Sequence, residues 1–380
     1  MTAPGDGIRP MDMAFRARFP DFRPFLRSAG RCFLPILLIL CAAGTASGDA
    51  PAWEPLHQEA LSHFRAGRLP EAIESGKRAL SAAEEAFGQE SLPAASTIGL
   101  LAQAWHSLGR YAEAGPLYLR ALSIHEKIRG LTHPDTAAAL NNLAQLRHAQ
   151  GRFKDSEALY LRSLQSYEGS LGPAHFALAT PLNNLAELYR SLGLLDTAEP
   201  LYYRALALFE KNTGPDGPDA AMCLSNLAQL HQARGDLHLA EGMYRRALAI
   251  FETLGAGETS VGTVSNNLGL LLFAGKKYHA AEPLYLRALA IFGNNLGEDH
   301  PTTASVLNNL GELYRALHRY GEAESFLLRS LAIKEDRLGP DHPSVARTLE
   351  NLAVLFRETN RPGEAGVLEE RARNIRAGQR

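Results

Sequence analysis

The sequence predicts an all-α fold in which pairs of helices recur along the chain and stack as a solenoid. A small residue recurs at intervals of 42, 42, 42, 42, 41, 42 and 42: Ala60, Ala102, Ala144, Ala186, Ala228, Gly269, Gly311 and Ala353. An arginine recurs with the same intervals and the same single deletion: Arg78, Arg120, Arg162, Arg204, Arg246, Arg287, Arg329 and Arg371. Repeats of this length are typical of solenoids, propellers and arrays, and the lack of β-branched alternation excludes a propeller. About eight repeats of 42 residues therefore fill 52–377.

The segment before the repeats, 1–48, is predicted to be a signal peptide. Six arginines within residues 1–31 precede an apolar run at 32–43, and small residues follow at 44–48. The run of about 12 residues is too short to span a bilayer of ~30 Å. We expect cleavage after Ala46 or Gly48, export to the periplasm or the medium, and no membrane span in the mature chain. The start at Met1, Met11 or Met13 stays open, as do an uncleaved anchor and a cytosolic protein with a misplaced start.

A lipid anchor at Cys41 is disfavoured. The residues Leu38 to Cys41 have some likeness to a lipoprotein box, but Leu40 is bulky where a small residue is required. Cys223 is the single cysteine of the repeats, so neither an intrachain disulfide nor a multi-cysteine metal site is available there. We expect Cys223 to be a small buried side chain.

Each repeat is predicted to contain two helices, as residues 301–338 illustrate. Pro301 suits a first helical residue, where its missing N–H is not needed. Apolar residues then follow at helical spacing: Val306, Leu307, Leu310, Leu313, Tyr314 and Leu317 in the first helix, and Ala323, Phe326, Leu327, Leu331 and Ile333 in the second. The apolar stripes of one pair cannot be buried alone, so neighbouring pairs must stack.

The turn between the two helices carries a glycine in the first five repeats: Gly67, Gly109, Gly151, Gly193 and Gly235. Glycine suits the left-handed conformation that often ends a helix. Lys276, His318 and Asn360 hold this place later, and we expect Gly275 to replace it in the sixth repeat.

Composition and motifs exclude several function classes. The first 48 residues hold six Arg and three Asp, which leaves 33 basic and 38 acidic residues, a net charge of −5, for the rest. That balance argues against nucleic-acid binding.

A His-Pro pair recurs at three repeat junctions: His133-Pro134, His300-Pro301 and His342-Pro343. We expect these pairs to begin helices rather than bind metal. No phosphate loop or catalytic motif is present, so we expect no cofactor, no metal, no catalytic residue and no enzyme activity.

The repeat resembles the tetratricopeptide repeat, and more narrowly its kinesin-light-chain type. One repeat matches at Leu185, Ala186, Tyr189, Gly193, Ala198, Tyr202 and Ala205, and the phrases LNNLAELYRSLG, AEPLYLRALAIF and LGPDHP carry the narrower likeness. The resemblance implies a right-handed superhelix whose first helices line a concave groove for an extended peptide. The signal peptide and the lack of a coiled coil argue against a motor subunit.

An asparagine two residues before the small residue resembles the family's peptide-clamping asparagine. It stands at Asn142, Asn184, Asn226, Asn267, Asn309 and Asn351, whereas the first two repeats have Gln58 and Leu100. A side-chain amide has both donors and an acceptor. It can therefore pair with a peptide backbone, or it can bond the neighbouring repeat and stiffen the stack, and both interpretations stay open.

Arginines four residues after the small residue are predicted to lie in the same groove: Arg190, Arg315 and Arg357. Arginine is suited to capture of carboxylates, which favours a mildly acidic or mixed peptide. We expect Glu187 and Glu312 to neutralise Arg190 and Arg315 in part within their own helices, and a solvated charged face remains the alternative.

Two further groups of side chains stand out in the repeats. Leu270 and Phe273 form an apolar patch in the sixth repeat, which either anchors a ligand or is filled by a neighbouring repeat. The arginine ladder of the second helix is interpreted as a charged convex face.

The leading functional hypothesis is a protein-interaction scaffold that holds a peptide or protein segment in the groove. The alternative is a structural solenoid of the cell envelope that assembles end to end. The last helix opposes this alternative because it is polar: Glu364, Glu369, Glu370, Arg371, Arg373 and Arg376. The sequence fixes neither the oligomeric state nor the identity of the partner.

Overall fold

The computed structural model describes residues 53–255 and 258–378. The predicted signal peptide at 1–48 and Cys41 lie outside these residues. The described residues form sixteen α-helices and a 3-10 turn, with no strand among them. The all-α prediction is therefore confirmed.

The helices follow one another in pairs. In chain order they are α1 Trp53–Arg65, α2 Leu69–Phe87, α3 Leu92–Ser107, α4 Tyr111–Arg129, α5 Pro134–Ala149, α6 Phe153–Leu171, α7 Ala179–Ser191 (preceded by the 3-10 turn Phe176–Leu178) and α8 Leu195–Thr213. They continue with α9 Pro218–Arg234, α10 Leu237–Leu254, α11 Glu258–Ala274, α12 Tyr278–Leu296, α13 Pro301–Ala316, α14 Tyr320–Leu338, α15 Pro343–Glu358 and α16 Pro362–Ala377. The predicted break at His318-Arg319 is the turn between α13 and α14.

Backbone contacts divide the chain into two compact units. The N-terminal unit extends through Ile250, and the C-terminal unit comprises Phe251 onward. Within each unit, the second helix of one pair packs against the first helix of the next, as α4 does against α5 and α14 against α15. Helix pairs thus stack in both units, because a single pair has no other way to cover its apolar stripes.

The turn inside each pair adopts the predicted left-handed conformation. Gly67, Gly109, Gly151, Gly193 and Gly235 have φ between 74° and 97°. Lys276, His318 and Asn360 take the same conformation with φ of 59°, 57° and 61°. The expectation that Gly275 replaces the glycine is wrong, because Lys276 itself becomes left-handed while its N–H donates to the Phe273 carbonyl at 2.9 Å.

The histidine of each His-Pro pair begins a helix, as predicted. The Nδ1 atoms of His133, His300 and His342 accept backbone N–H bonds from the residue two positions later at 3.1, 3.1 and 3.2 Å. The ring nitrogen thus accepts the backbone hydrogen bond that a serine or aspartate oxygen usually accepts at an N-cap. The described part of the chain contains no group of three or more His, Cys, Asp or Glu side chains placed to hold a metal ion.

The recurring small residue lets the two helices of a pair approach closely. A Cβ atom on Gly311 would lie 2.5 Å from Leu327 Cγ, and one on Gly269 would lie 2.8 Å from the Tyr285 ring. The tyrosines that recur in the second helices are buried: Tyr118, Tyr160, Tyr202, Tyr244 and Tyr285. Across the described residues, the helices lack the length and apolar character needed to cross a membrane.

Candidate functional site

The predicted clamp asparagines form rungs between consecutive repeats. In each rung, one asparagine donates its Nδ2 to the Oδ1 of an asparagine 43 residues earlier in the sequence. The rungs are Asn184 to Asn141 at 3.0 Å and Asn226 to Asn183 at 3.0 Å in the N-terminal unit, and Asn309 to Asn266 at 2.9 Å and Asn351 to Asn308 at 3.1 Å in the C-terminal unit. We call these rungs the amide ladder. The Nδ2 atoms therefore join neighbouring repeats, as the stiffening interpretation requires.

Two predicted positions lack such a rung. Asn142 instead accepts from Asn141 Nδ2 within its own helix at 3.4 Å, because Gly99 in the preceding repeat has no side chain to offer. Asn267 is buried and forms no side-chain hydrogen bond within the C-terminal unit. The amide ladder consequently begins one repeat later than the asparagine pattern.

The Oδ1 atom of the asparagine that donates in each rung is the second feature of the amide ladder. No donor among the described residues bonds the Oδ1 atoms of Asn184, Asn226, Asn309 or Asn351. The side chains of Asn184, Asn226 and Asn351 are partly exposed, and Asn309 is 9% exposed. Each rung therefore fixes the donating asparagine through its Nδ2 atom, and its Oδ1 atom stays available as a hydrogen-bond acceptor.

Arg190 is bound within its own helix, as expected. Its Nη2 and Nε donate to Glu187 Oε1 and Oε2 at 2.6 and 2.7 Å, and Tyr202 Oη donates to Glu187 Oε2 at 2.7 Å. The side chains of Arg190 and Glu187 are only 14% and 18% exposed. Burial acts to raise the pKa of the Glu187 carboxyl, but Arg190 and Tyr202 outweigh it and hold that pKa below its ordinary value.

Arg315 behaves differently, and the expectation that Glu312 neutralises it is wrong. Arg315 Nη1 donates to Glu358 Oε1 of the next repeat at 2.6 Å. Glu312 Oε1 instead accepts from the amides of Asn308 and Asn351 at 2.8 and 2.6 Å. The next repeat thus supplies both a carboxylate for the arginine and an amide for the glutamate.

Arg357 is paired too. Its Nε and Nη2 donate to the two carboxylate oxygens of Glu369 on α16 at 2.7 and 2.8 Å, in an exposed pair. None of the three predicted arginines is therefore a free cation, and an anionic ligand would have to exchange with a protein carboxylate.

In other repeats, aromatic packing occupies the positions that the sequence predicts to line the groove. The rings of His106, His148 and Phe273 lie 5.5, 5.8 and 5.5 Å from the ring that begins the second helix of their own pair. Burial lowers the pKa of His106 to about 4, so this side chain is neutral at neutral pH. Phe273 of the predicted apolar patch is thus in contact with Tyr278 rather than freely available.

The arginine ladder of the second helices also joins repeats. Arg120, Arg162, Arg204 and Arg246 pair with a glutamate 36 residues earlier at 2.6, 3.0, 2.7 and 2.8 Å: Glu84, Glu126, Glu168 and Glu210. In the C-terminal unit, Arg287 pairs with Glu252, Arg329 with Glu298, and Arg371 with Glu335. Sequence reasoning missed these pairs, although five of the glutamates recur at the same 42-residue interval: Glu84, Glu126, Glu168, Glu210 and Glu252. Each exposed pair contributes about 0–1 kcal/mol.

Comparison with known proteins agrees with this architecture. A tetratricopeptide repeat family profile matches residues 95–169, 177–253, 260–336 and 317–377, and a second profile of the same description matches 58–127. No curated protein matches the chain.

Several solved structures are similar to this chain. BtubC (BKLC) from P. vanneervenii is 29% identical, with 60% of this chain and 92% of that chain covered and a TM-score of 0.52. The Rap conjugation gene regulator of plasmid pLS20, solved in complex with the Phr* peptide, is 16% identical, with 87% and 96% covered and a TM-score of 0.58. The kinesin light chain TPR-like repeats from Podosopora anserina are 21% identical, with 55% and 100% covered and a TM-score of 0.44. Because the family profiles match well over half of its residues, this chain belongs to the tetratricopeptide repeat family.

Proposed function

We propose that this protein is an interaction scaffold that binds an extended protein segment along the first helices of its repeats. The observation that carries the proposal is the row of ladder oxygens. Asn184 and Asn226 in the N-terminal unit each keep an Oδ1 atom to which no described residue donates, on a side chain already fixed by its Nδ2. A fixed acceptor binds a backbone N–H with little further loss of side-chain entropy.

The same feature recurs in the C-terminal unit at Asn309 and Asn351. Backbone recognition of this kind is independent of the ligand's side chains, so it gives affinity rather than sequence preference. The two interpretations of the asparagines are therefore compatible, since the nitrogen stiffens the stack and the oxygen accepts from the ligand.

Selectivity in this proposal comes from the arginines. Arg357 and Glu369 form an exposed pair, and Arg315 and Glu358 a less exposed one, so a ligand carboxylate exchanges with these glutamates at little cost. Arg190 is held more firmly by Glu187, and we assign it to the stability of the N-terminal unit. The preference for a mildly acidic or mixed segment thus rests on the C-terminal unit.

The fold relatives support this function without specifying the ligand. The Rap conjugation gene regulator was solved with a bound peptide on a fold similar to this one. Binding rather than catalysis is the activity proposed. Self-assembly is the weaker alternative because Glu369 and Arg376 of the last helix pair with Arg357 and Glu350 within the same chain.

A peptide library displayed on phage and selected on residues 49–380 tests the proposal. We expect selected peptides, made synthetically, to bind the parent chain, and Asn184→Leu with Asn226→Leu to weaken binding about tenfold or more, since each lost hydrogen bond contributes about 0.5–1.5 kcal/mol. Isothermal titration calorimetry measures the affinity.

Asn141→Leu with Asn183→Leu is the matched control. It breaks the same two rungs from the other side and keeps Asn184 and Asn226. The control should retain more affinity than the test variant at equal helicity. Equal losses in both variants, or failure to select any peptide, would contradict the proposal.

A further inference from the structure

A fully buried lysine occupies the interface between the last two repeats. Lys334 on α14 has 0% exposure. The equivalent position holds a Tyr or Phe ring in the third to sixth repeats, at Tyr167, Phe209, Phe251 and Phe292, whereas the first two repeats have Ala83 and His125. An amine therefore stands where the third to sixth repeats have an aromatic ring, and burying its charged form without a counter-ion is costly.

The partners of Lys334 are neutral. Its Nζ lies 2.8 Å from Thr348 Oγ1 on α15, and no carboxylate of the described residues lies within ion-pairing distance. Thr348 Oγ1 lies 3.2 Å from Asn308 Oδ1, which also accepts from Asn351 Nδ2 at 3.1 Å. A chain of hydrogen bonds thus connects the buried amine to a rung of the amide ladder.

The charged groups that face Lys334 do not compensate a positive charge. α14 packs against α13 and α15, which present Glu312 and Arg347 respectively. Burial lowers the pKa of Lys334 well below its ordinary value, Arg347 lowers that pKa further, and Glu312 opposes both only in part. Glu312 is already bound to two amides, and Arg347 Nε is itself buried without a partner.

We propose that Lys334 is an uncharged amine in the folded chain and acts as a proton-sensitive latch between α14 and α15. A protonated amine has three donors and a full charge, whereas Thr348 offers one acceptor. Hydrating the ammonium group requires α15 and α16 to separate from α14. That separation breaks the rung between Asn308 and Asn351. The stability of the C-terminal end of the amide ladder therefore depends on pH.

The direction of the effect follows from linkage. An exposed lysine has a pKa of about 10.4, and Lys334 has a lower one in the closed state. Between these two values, opening takes up one proton, so the closed state becomes less stable as pH falls. The opening constant should rise about tenfold for each unit of pH lost, and it should level off below the closed-state pKa.

Amide hydrogen exchange of α15 and α16, corrected for intrinsic rates, measures this opening. We expect the ratio of the opening constants of the parent chain and Lys334→Met to rise about tenfold per unit as pH is lowered from about 9. Lys127→Met removes an exposed lysine and is the control. The ratio of the opening constants of the parent chain and Lys127→Met should not change with pH. A ratio between the parent chain and Lys334→Met that does not change with pH would overturn the proposal.

A second measurement covers the case in which Lys334→Met does not fold. The side-chain NMR resonances of Lys334 in the parent chain should titrate well below the ordinary lysine value of about 10.4. Titration of Lys334 at that ordinary value would equally overturn the proposal.

Discussion

Two first helices with almost the same sequence form different networks. Residues 182–190 read LNNLAELYR in α7 and residues 307–315 read LNNLGELYR in α13, with one difference in nine positions. In α7, Glu187 binds Arg190 of its own helix. In α13, Glu312 binds two amides, and Arg315 pairs with the next repeat.

The neighbours of the two helices explain the difference. The next repeat places Glu358 beside Arg315, whereas the equivalent residue beyond Arg190 is Ala233. The second helix of the pair offers a tyrosine hydroxyl to Glu187, and Leu327 stands at that position behind Glu312. The stacking of the repeats, rather than the local motif, therefore determines which ion pairs form in this solenoid.

The largest expected effect is on the buried pair of α7. Arg190→Met leaves the Glu187 carboxylate largely buried without its cation, and we expect the free energy of unfolding to fall by about 3 kcal/mol. The matched change Arg315→Met frees a more exposed glutamate and should cost about 0–1 kcal/mol. Urea unfolding followed by circular dichroism compares the two variants, and equal losses would break the comparison.

The one sequence difference between the two helices, Ala186 against Gly311, should also affect stability. Gly311→Ala forces a Cβ to within 2.5 Å of Leu327 Cγ and 3.3 Å of the Ala323 carbonyl, and such overpacking costs about 1–3 kcal/mol. Gly321→Ala on α14 meets nothing within 4 Å and should be neutral or stabilising by up to about 1 kcal/mol. Thermal melting of both variants measures the effects. A stabilising Gly311→Ala would show that α13 and α14 have room to separate.

The tyrosine hydroxyl of α8 should have a smaller, pH-dependent effect. Tyr202→Phe removes the bond to Glu187, with a loss of about 1–2 kcal/mol at neutral pH. The depressed pKa of Glu187 contributes stability that is present above the ordinary value of about 4.3 and lost as pH falls through the folded value. The variant should therefore differ less from the parent in acid than at neutral pH. Urea midpoints across this range measure the gap, and a constant gap would assign the loss to packing alone.

The smallest expected effect sharpens the reason for the difference. Glu358→Ala removes the carboxylate that the next repeat offers to Arg315. We expect Arg315 to turn to Glu312 in its own helix, as Arg190 does to Glu187, with a change in unfolding free energy of about 0.5 kcal/mol or less. A crystal structure of the variant shows the new partner. An Arg315 side chain left in solvent would mean that α13 itself prevents the pairing found in α7.

The periodicity of the sequence was sufficient to predict the helix pairs and where they begin and turn. Gly193 and His318 occupy the same place in their repeats, and both adopt the left-handed turn because the helix must end there. His300 begins a helix for two reasons. The proline after it has no N–H group that needs a partner, and the His300 ring accepts a hydrogen bond from the backbone N–H of Thr302. Such features depend on a few consecutive residues, so they can be predicted without knowing the neighbours.

The amino-acid pattern alone was therefore enough to predict the fold, the length of the repeat and the positions that carry asparagine or arginine. Only the tertiary structure decided the partners, since the rung from Asn184 to Asn141 and the pair of Arg315 with Glu358 each join residues 43 positions apart. The physical reason is that helical periodicity arises within one helix, whereas hydrogen bonds and ion pairs between repeats depend on the offset at which helices stack. The buried amine of Lys334 is the extreme case, because its surroundings exist only once α14 and α15 have packed together.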